Sequence, residues 1–151
     1  MTKTQNGAVL SLSLDSFAGA DTATMDVVVG GSPSGWLWEF AGPGHPKAVE
    51  QANRTARERL HKEKLMEQAQ VNGKKWISPE QTPTDVRAGN VTYVVERLVG
   101  WSAIIIDESE FPFSEDNARM LLSDPKRVSI LAQAMDFLAA DSSFTKRSAA
   151  I

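Results

Sequence analysis

MDVVVGGSPSGWLWEFAGPGHP, residues Met25–Pro46, reads as strand, turn, strand, breaker and helix start in succession. Met25 to Val29 and Trp36 to Phe40 are β-prone runs, and Gly30-Gly31-Ser32-Pro33-Ser34-Gly35 between them is rich in turn formers, so a β-hairpin is predicted over 24–41. In its second strand Trp36, Trp38 and Phe40 share one face at two-residue spacing, which requires that face to be covered. Ala41-Gly42-Pro43-Gly44-His45-Pro46 then breaks the strand, and no proline or glycine follows until Gly73, which predicts one long helix over 46–71. A hairpin followed by helices makes the fold class α+β.

Upstream, Val9 to Leu14 alternates, with Leu10, Leu12 and Leu14 on one face and Ser11 and Ser13 on the other, which predicts an extra edge strand at the end of a variable extension over 1–20. Downstream, Asn72-Gly73 closes the long helix, and Lys74 to Thr84 is expected to be a loop from which Trp76 and Ile77 dip back to the core. From Asp85 to Val99 the run Val91, Thr92, Tyr93, Val94 and Val95 favours strand by propensity, whereas Val91, Val94, Leu98 and Trp101 fit one helical face; the periodicity decides for helix.

Gly100 to Pro125, GWSAIIIDESEFPFSEDNARMLLSDP, holds two helix starts. Ser114 is an N-cap followed by Glu115 and Asp116, whose charges suit the free N–H groups of a first turn. Asp124 caps again, with Pro125 at the first helical position. Pro112 fixes the entering chain so that Phe111 and Phe113 pack beneath the turn. A short helix over 115–122 and a longer one over 125–140 follow, the latter with Val128, Leu131, Met135 and Leu138 at three- and four-residue spacing. The whole chain is thus expected as a single domain over 1–151: hairpin, long helix, a helical body of about four helices completed over 85–140, and a flexible tail over 142–151.

Composition narrows the chemistry. A formal charge of −3 over 151 residues, with no cysteine, leaves no thiolate nucleophile and no sulfur-ligated zinc. His45 and His61 join no carboxylate at a metal-ligand spacing, no GxSxG occurs, and no lysine-serine pair follows the glycine loop. No catalytic, cofactor-binding or metal-ligating residue is therefore expected, and no enzyme. The longest uncharged apolar run, Leu98 to Ile106, is too short to span a bilayer, and no basic region precedes a hydrophobic block at the N-terminus, so neither membrane insertion nor secretion is expected.

Two charged regions remain. The long helix carries Lys47, Arg54, Arg57, Arg59, Lys62 and Lys64 against Glu50, Glu58, Glu63 and Glu67, a surplus of 6 − 4 = 2 positive charges. Asp107, Glu108, Glu110, Glu115, Asp116 and Asp124 face Arg119 alone, an excess of 6 − 1 = 5 negative charges, which is either a solvated hinge or a docking surface for a basic partner. The interleaved acids of the helix argue against nucleic acid as its partner.

At these residues the chain resembles the tail assembly chaperones of long-tailed bacteriophages. The resemblance lies in Glu39-Phe40-Ala41-Gly42-Pro43-Gly44-His45-Pro46, Gly100-Trp101, Pro112-Phe113-Ser114-Glu115-Asp116-Asn117-Ala118-Arg119, Leu121-Leu122-Ser123-Asp124-Pro125 and Asp141-Ser142-Ser143-Phe144, in this order over roughly residues 22 to 145. The first twenty residues and the apolar Ala103 to Ile106 depart from the pattern. The resemblance implies a non-enzymatic chaperone of the host cell cytoplasm. It would bind and solubilise the phage tape-measure protein, self-associate, give way to the tail-tube protein and be absent from the mature virion. Trp36, Trp38, Phe40, Arg54, Arg57, Leu60 and Met66 are the residues expected to face the partner, while Trp101, Phe111, Phe113, Ser114, Asp124 and Pro125 hold the body together. The alternatives are a virion structural protein of the neck or tail-completion type and, with less support, a nucleic-acid-binding regulator.

Overall fold

The computed structural model describes residues 9–17, 19–77 and 79–144. Strands β1 (Thr22–Val29) and β2 (Ser32–Ala41) form an antiparallel hairpin whose register runs from Thr22 opposite Ala41 to Val29 opposite Ser32. The turn needs only Gly30 and Gly31, at φ 61° and 84°, because a tight two-residue turn matching strand twist places both central residues in the left-handed region. Ser32 to Gly35, expected in the loop, therefore belongs to the strand. A bulge there shifts the register between Asp26 and Val28, with Gly35 at φ 85° donating its N–H to Asp26 Oδ1 at 2.8 Å.

Helix α1 (Pro46–Val71) begins on His45, whose Nδ1 accepts from the Lys47 N–H at 3.1 Å, and ends at Asn72 with Gly73 at φ 70°. Helix α2 (Pro83–Arg97) opens with a reciprocal capping box: the Thr82 hydroxyl accepts from Asp85 N–H at 3.2 Å, and the Asp85 carboxylate accepts from Thr82 N–H at 3.0 Å. Its β-branched run is helical, as its periodicity predicts, because Val91, Val94 and Val95 are all buried on one face.

The helix stops two residues before its expected end. Leu98–Trp101 turns into strand β3, which pairs antiparallel with β2 and sets Trp101 opposite Trp38. The sheet order is β1-β2-β3. A further hairpin of two-residue strands, β4 (Ile105–Ile106) with β5 (Ser109–Glu110), occupies the segment expected to be a hinge between helices. Helix α3 (Glu115–Ser123) starts at Ser114, whose Oγ accepts from Asn117 N–H at 3.0 Å; a 3-10 turn over Pro125–Arg127 capped by Asp124 leads into α4 (Val128–Ala139). The chain is α+β, with a hairpin in its first part, helices α1 to α4 after it, and the third strand of the sheet and the small β4–β5 hairpin inserted between α2 and α3.

One face of the sheet carries the core. Met25, Val27, Trp36, Trp38 and Phe40 meet residues of α2, α3 and α4 in a single apolar cluster, while Leu37 on the opposite face is exposed. The predicted edge strand at Val9 to Leu14 does not form: those residues are exposed and a 3-10 turn covers Leu14–Phe17. Both flanks of the hairpin are taken. On the β2 side stands β3, and on the β1 side the Gln133 amide mimics a strand, accepting from Val28 N–H at 2.8 Å and donating to Val28 O at 3.0 Å.

Two further expectations change. Ile77 is exposed, and Trp76 lies against α1 instead of the core. Residues 142–144, expected in a flexible tail, instead belong to a 3-10 turn over Asp141–Phe144 that buries the Phe144 ring against Phe137 and the Arg97 guanidinium; the rest of that expected tail, 145–151, lies outside the described residues.

Candidate partner-binding surface

Helix α1 is held at its start. Gln51, buried, donates from Nε2 to Tyr93 O at 3.0 Å and to Glu96 Oε1 at 2.9 Å, and Arg54 forms an ion pair with the same Glu96. Beyond that point the helix leaves the body, and every residue from Arg57 to Gln68 is exposed. Only Ala48 and Gln51 are buried among its 26 residues, and the part beyond Arg54, residues 55–71, is an arm about 26 Å long at 1.5 Å per residue. Leu60, Leu65 and Met66 show apolar surface along it. Trp76 folds back onto the far end beside Met66, Glu67 and Gln70, around an open depression of about 670 Å³.

A second apolar surface lies on the body. Trp101, Ile104, Ile105, Phe111 and Phe113 line an open groove of about 720 Å³, with Glu110 at its lip. Trp101 is its anchor: its ring lies parallel to Phe111 at 5.5 Å, meets Phe113 edge-on at 5.1 Å, and donates its Nε1–H to Phe111 O at 3.0 Å. Phe111 N–H in turn bonds Ile104 O at 3.0 Å, which fixes the mouth of the small β4–β5 hairpin. The turn of that hairpin holds Asp107 and Glu108 at φ 51° and 66°, a conformation tolerated by Asp and costly for Glu, so both exposed carboxylates stand at the tip.

The partner-facing residues expected from the sequence divide sharply. Trp36, Trp38 and Phe40 are 6%, 0% and 0% exposed, so the aromatic row is core and presents nothing to a partner. The reason is that the row shares one apolar cluster with residues of α2, α3 and α4 and with Trp101 of β3, the Trp36 and Trp38 ring centroids lying 5.2 and 5.3 Å from Trp101 and Phe40 5.6 Å from Phe137 of α4. Arg54 fastens the arm through Glu96, whereas Arg57, Leu60 and Met66 lie exposed on the arm. The six structural residues occupy their expected places: Trp101, Phe111 and Phe113 in the aromatic cluster, Ser114 and Asp124 as caps, Pro125 in the first turn.

Sequence reasoning missed five contributors. Arg97 is buried and bonds Ala41 O; Gln51 and Gln133 use amides to fasten elements; and Ile104 with Ile105 builds the groove wall. A signal for the last was present, because Ala103 to Ile106 is a continuous apolar stretch. The indole N–H groups of Trp36, Trp38 and Trp76 are buried and find no acceptor among the described residues. Within the same residues no group of three or more His, Asp or Glu side chains stands close enough to hold a metal ion, and no helix is long and apolar enough to cross a membrane. Neither protein-family models nor curated proteins nor solved structures give a match to this chain.

Proposed function

We propose that this chain is a non-enzymatic tail assembly chaperone of a long-tailed bacteriophage. It acts in the host cell cytoplasm, binds and solubilises the tape-measure protein, is displaced as tail-tube subunits assemble, and is absent from the mature virion. The observation that carries the reading is the arm: a 26-residue helix with two buried residues has no core to serve and offers its length to another chain. A tape-measure protein exposes apolar helical surface over a long distance, and helix-on-helix contacts through Leu60 and Met66 suit such a surface. Repeated along one partner, weak contacts add through avidity, yet each is displaceable by a polymerising subunit without a chemical step. The ordered phrases shared with the family support the same reading.

Co-expression with the tape-measure protein of the same phage tests this directly. The native chain keeps that protein in the soluble fraction, and Leu60→Asp with Met66→Asp loses this while melting like the native chain, because exposed positions shift stability by only about 0.5 kcal/mol. Solubilisation unaffected by those changes would remove the arm from the mechanism. Mass spectrometry of purified particles supplies the second arm of the test: recovery of the chain at stoichiometric level assigns it to the virion structure instead.

A further inference from the structure

We propose that residues 9–17 are a strap that folds back over the groove beside the β4–β5 hairpin of its own molecule, giving the chain an open and a covered state. Val9, Leu10, Leu12, Leu14 and Phe17 are between 59% and 93% exposed, a concentration of apolar surface that a short segment keeps only for a contact. The groove is its counterpart: Ile105 on the wall is 69% exposed, and none of residues 9–17 lines it. The structure is thus the open state.

The two surfaces match in shape and charge. Leu10, Leu12 and Leu14 fall on one side of an extended chain, about 7 Å apart, while Ser11 and Ser13 fall on the other. Such a row suits an open trough walled by Ile104, Ile105 and Phe111, and it leaves the serines toward water. Residues 9–14 carry no charge, so Glu110 at the lip does not repel them. The contact is made by side chains and adds no strand to the sheet.

The tether is short and fixed at its root. Ala20 N–H bonds Phe144 O, and Asp21 O accepts from Gly42 N–H, both at 2.7 Å. Arg97, bonded to Ala41 O, stands at the same corner, and β3 runs from there to Trp101 on the groove wall, about 13 Å at 3.3 Å per residue. From Ala20 back to Leu14 and Leu10 the extended chain spans about 20 and 33 Å, so the leucines reach the groove. A tether of this length holds them there at high effective concentration. Burial of the leucines is opposed by the entropy of ordering the strap, so the two states interconvert, and a foreign chain that takes the groove must displace the strap. This inference concerns the chain alone and does not rest on the tape-measure reading.

The chain has no cysteine, so Ser11→Cys accepts a single nitroxide label. In NMR spectra of the labelled full chain the amide signals of Ile104, Ile105 and Phe111 are lost to paramagnetic broadening and return when the nitroxide is reduced. Leu10→Ser with Leu14→Ser restores them in the oxidised chain, and Ile105→Asp restores those of Ile104 and Phe111, with circular dichroism unchanged in each. Mixing nitroxide-labelled chain that carries no isotope with isotope-labelled chain that carries no nitroxide leaves the signals sharp, because the contact lies within one molecule. Three results overturn the proposal: sharp signals in the labelled chain before any substitution, broadening that survives either set of substitutions in a folded chain, or broadening in the mixture, which gives the strap to a neighbouring copy.

Discussion

Arg97 closes the sheet onto the last turn of the chain by donating twice to one carbonyl: its Nε and Nη2 reach Ala41 O at 2.9 and 2.6 Å. Both residues are buried, and the guanidinium also lies 5.6 Å from the centroid of the Phe144 ring. One side chain thus links the end of α2, the end of β2 and the 3-10 turn over Asp141–Phe144.

Replacing Arg97 by Ala removes two charge-assisted hydrogen bonds and the ring contact, leaving a buried carbonyl without its donors. The expected loss is about 3 kcal/mol of unfolding free energy. Arg97→Lys recovers little of it, because an ammonium cannot reproduce the planar fork. Urea unfolding monitored by tryptophan fluorescence measures both.

Gly42 stands where two backbone segments cross. Its N–H bonds Asp21 O at 2.7 Å, and a Cβ at this position would collide with the carbonyl of Ala20 and press on the Phe144 ring. Gly42→Ala therefore destabilises by roughly 1–3 kcal/mol, the range for overpacking. Gly44→Ala, where a Cβ meets open space, is the control and leaves the melting temperature close to native.

Trp101 and Trp36 differ in what their indole nitrogens do. Trp101 Nε1 donates to Phe111 O, whereas Trp36 Nε1 is buried without an acceptor. Trp101→Phe forfeits a hydrogen bond and is expected to cost about 1 kcal/mol more than Trp36→Phe, which also removes an unsatisfied donor. Trp101→Ala, which empties the centre of the ring cluster, costs about 3–5 kcal/mol. Thermal melts of the three variants rank them, and a Trp101→Ala chain melting at the native temperature would contradict the assigned role.

Asp85 titrates below the ordinary carboxylate range, because the backbone N–H and then the hydroxyl of Thr82 bond its ionised form. A group whose folded pKa is depressed contributes stability above its unfolded value, near 3.9, and that contribution fades as pH falls through the folded value. The start of α2 is thus expected to loosen in acid, with Thr82→Ala moving the Asp85 titration back up toward normal. Side-chain carboxyl shifts followed by NMR report it; no change in Thr82→Ala would exclude the hydroxyl as a cause, since the backbone N–H of residue 82 is still there.

How much was legible depended on whether a feature is local. The caps at Ser114 and Asp124 and the Gly73 stop all appear in the structure, since each is decided by a few neighbouring backbone groups. The helical face of Val91, Val94 and Val95 prevailed over strand propensity for a reason that is only half local, because its period states which face a core would take. Val9 to Leu14 shows the opposite outcome. Its alternation satisfies the strand pattern, but pairing requires a partner strand: β3 stands beside β2, and the segment pairs with neither edge, where on β1 the Gln133 amide bonds the backbone of Val28.

By itself, then, the sequence determined the hairpin, the long helix, the caps and the aromatic hinge, all governed by contacts within a turn or two. Tertiary structure decided what each surface is for. Whether Trp36, Trp38 and Phe40 meet a partner or a core depended on α2 and α4 closing over them, and whether Leu98–Trp101 is helix or strand depended on the open edge of β2. That the arm stands free and Ile104 and Ile105 wall a groove follows from burial, which sums over residues distant in the chain and is written in no short stretch of it.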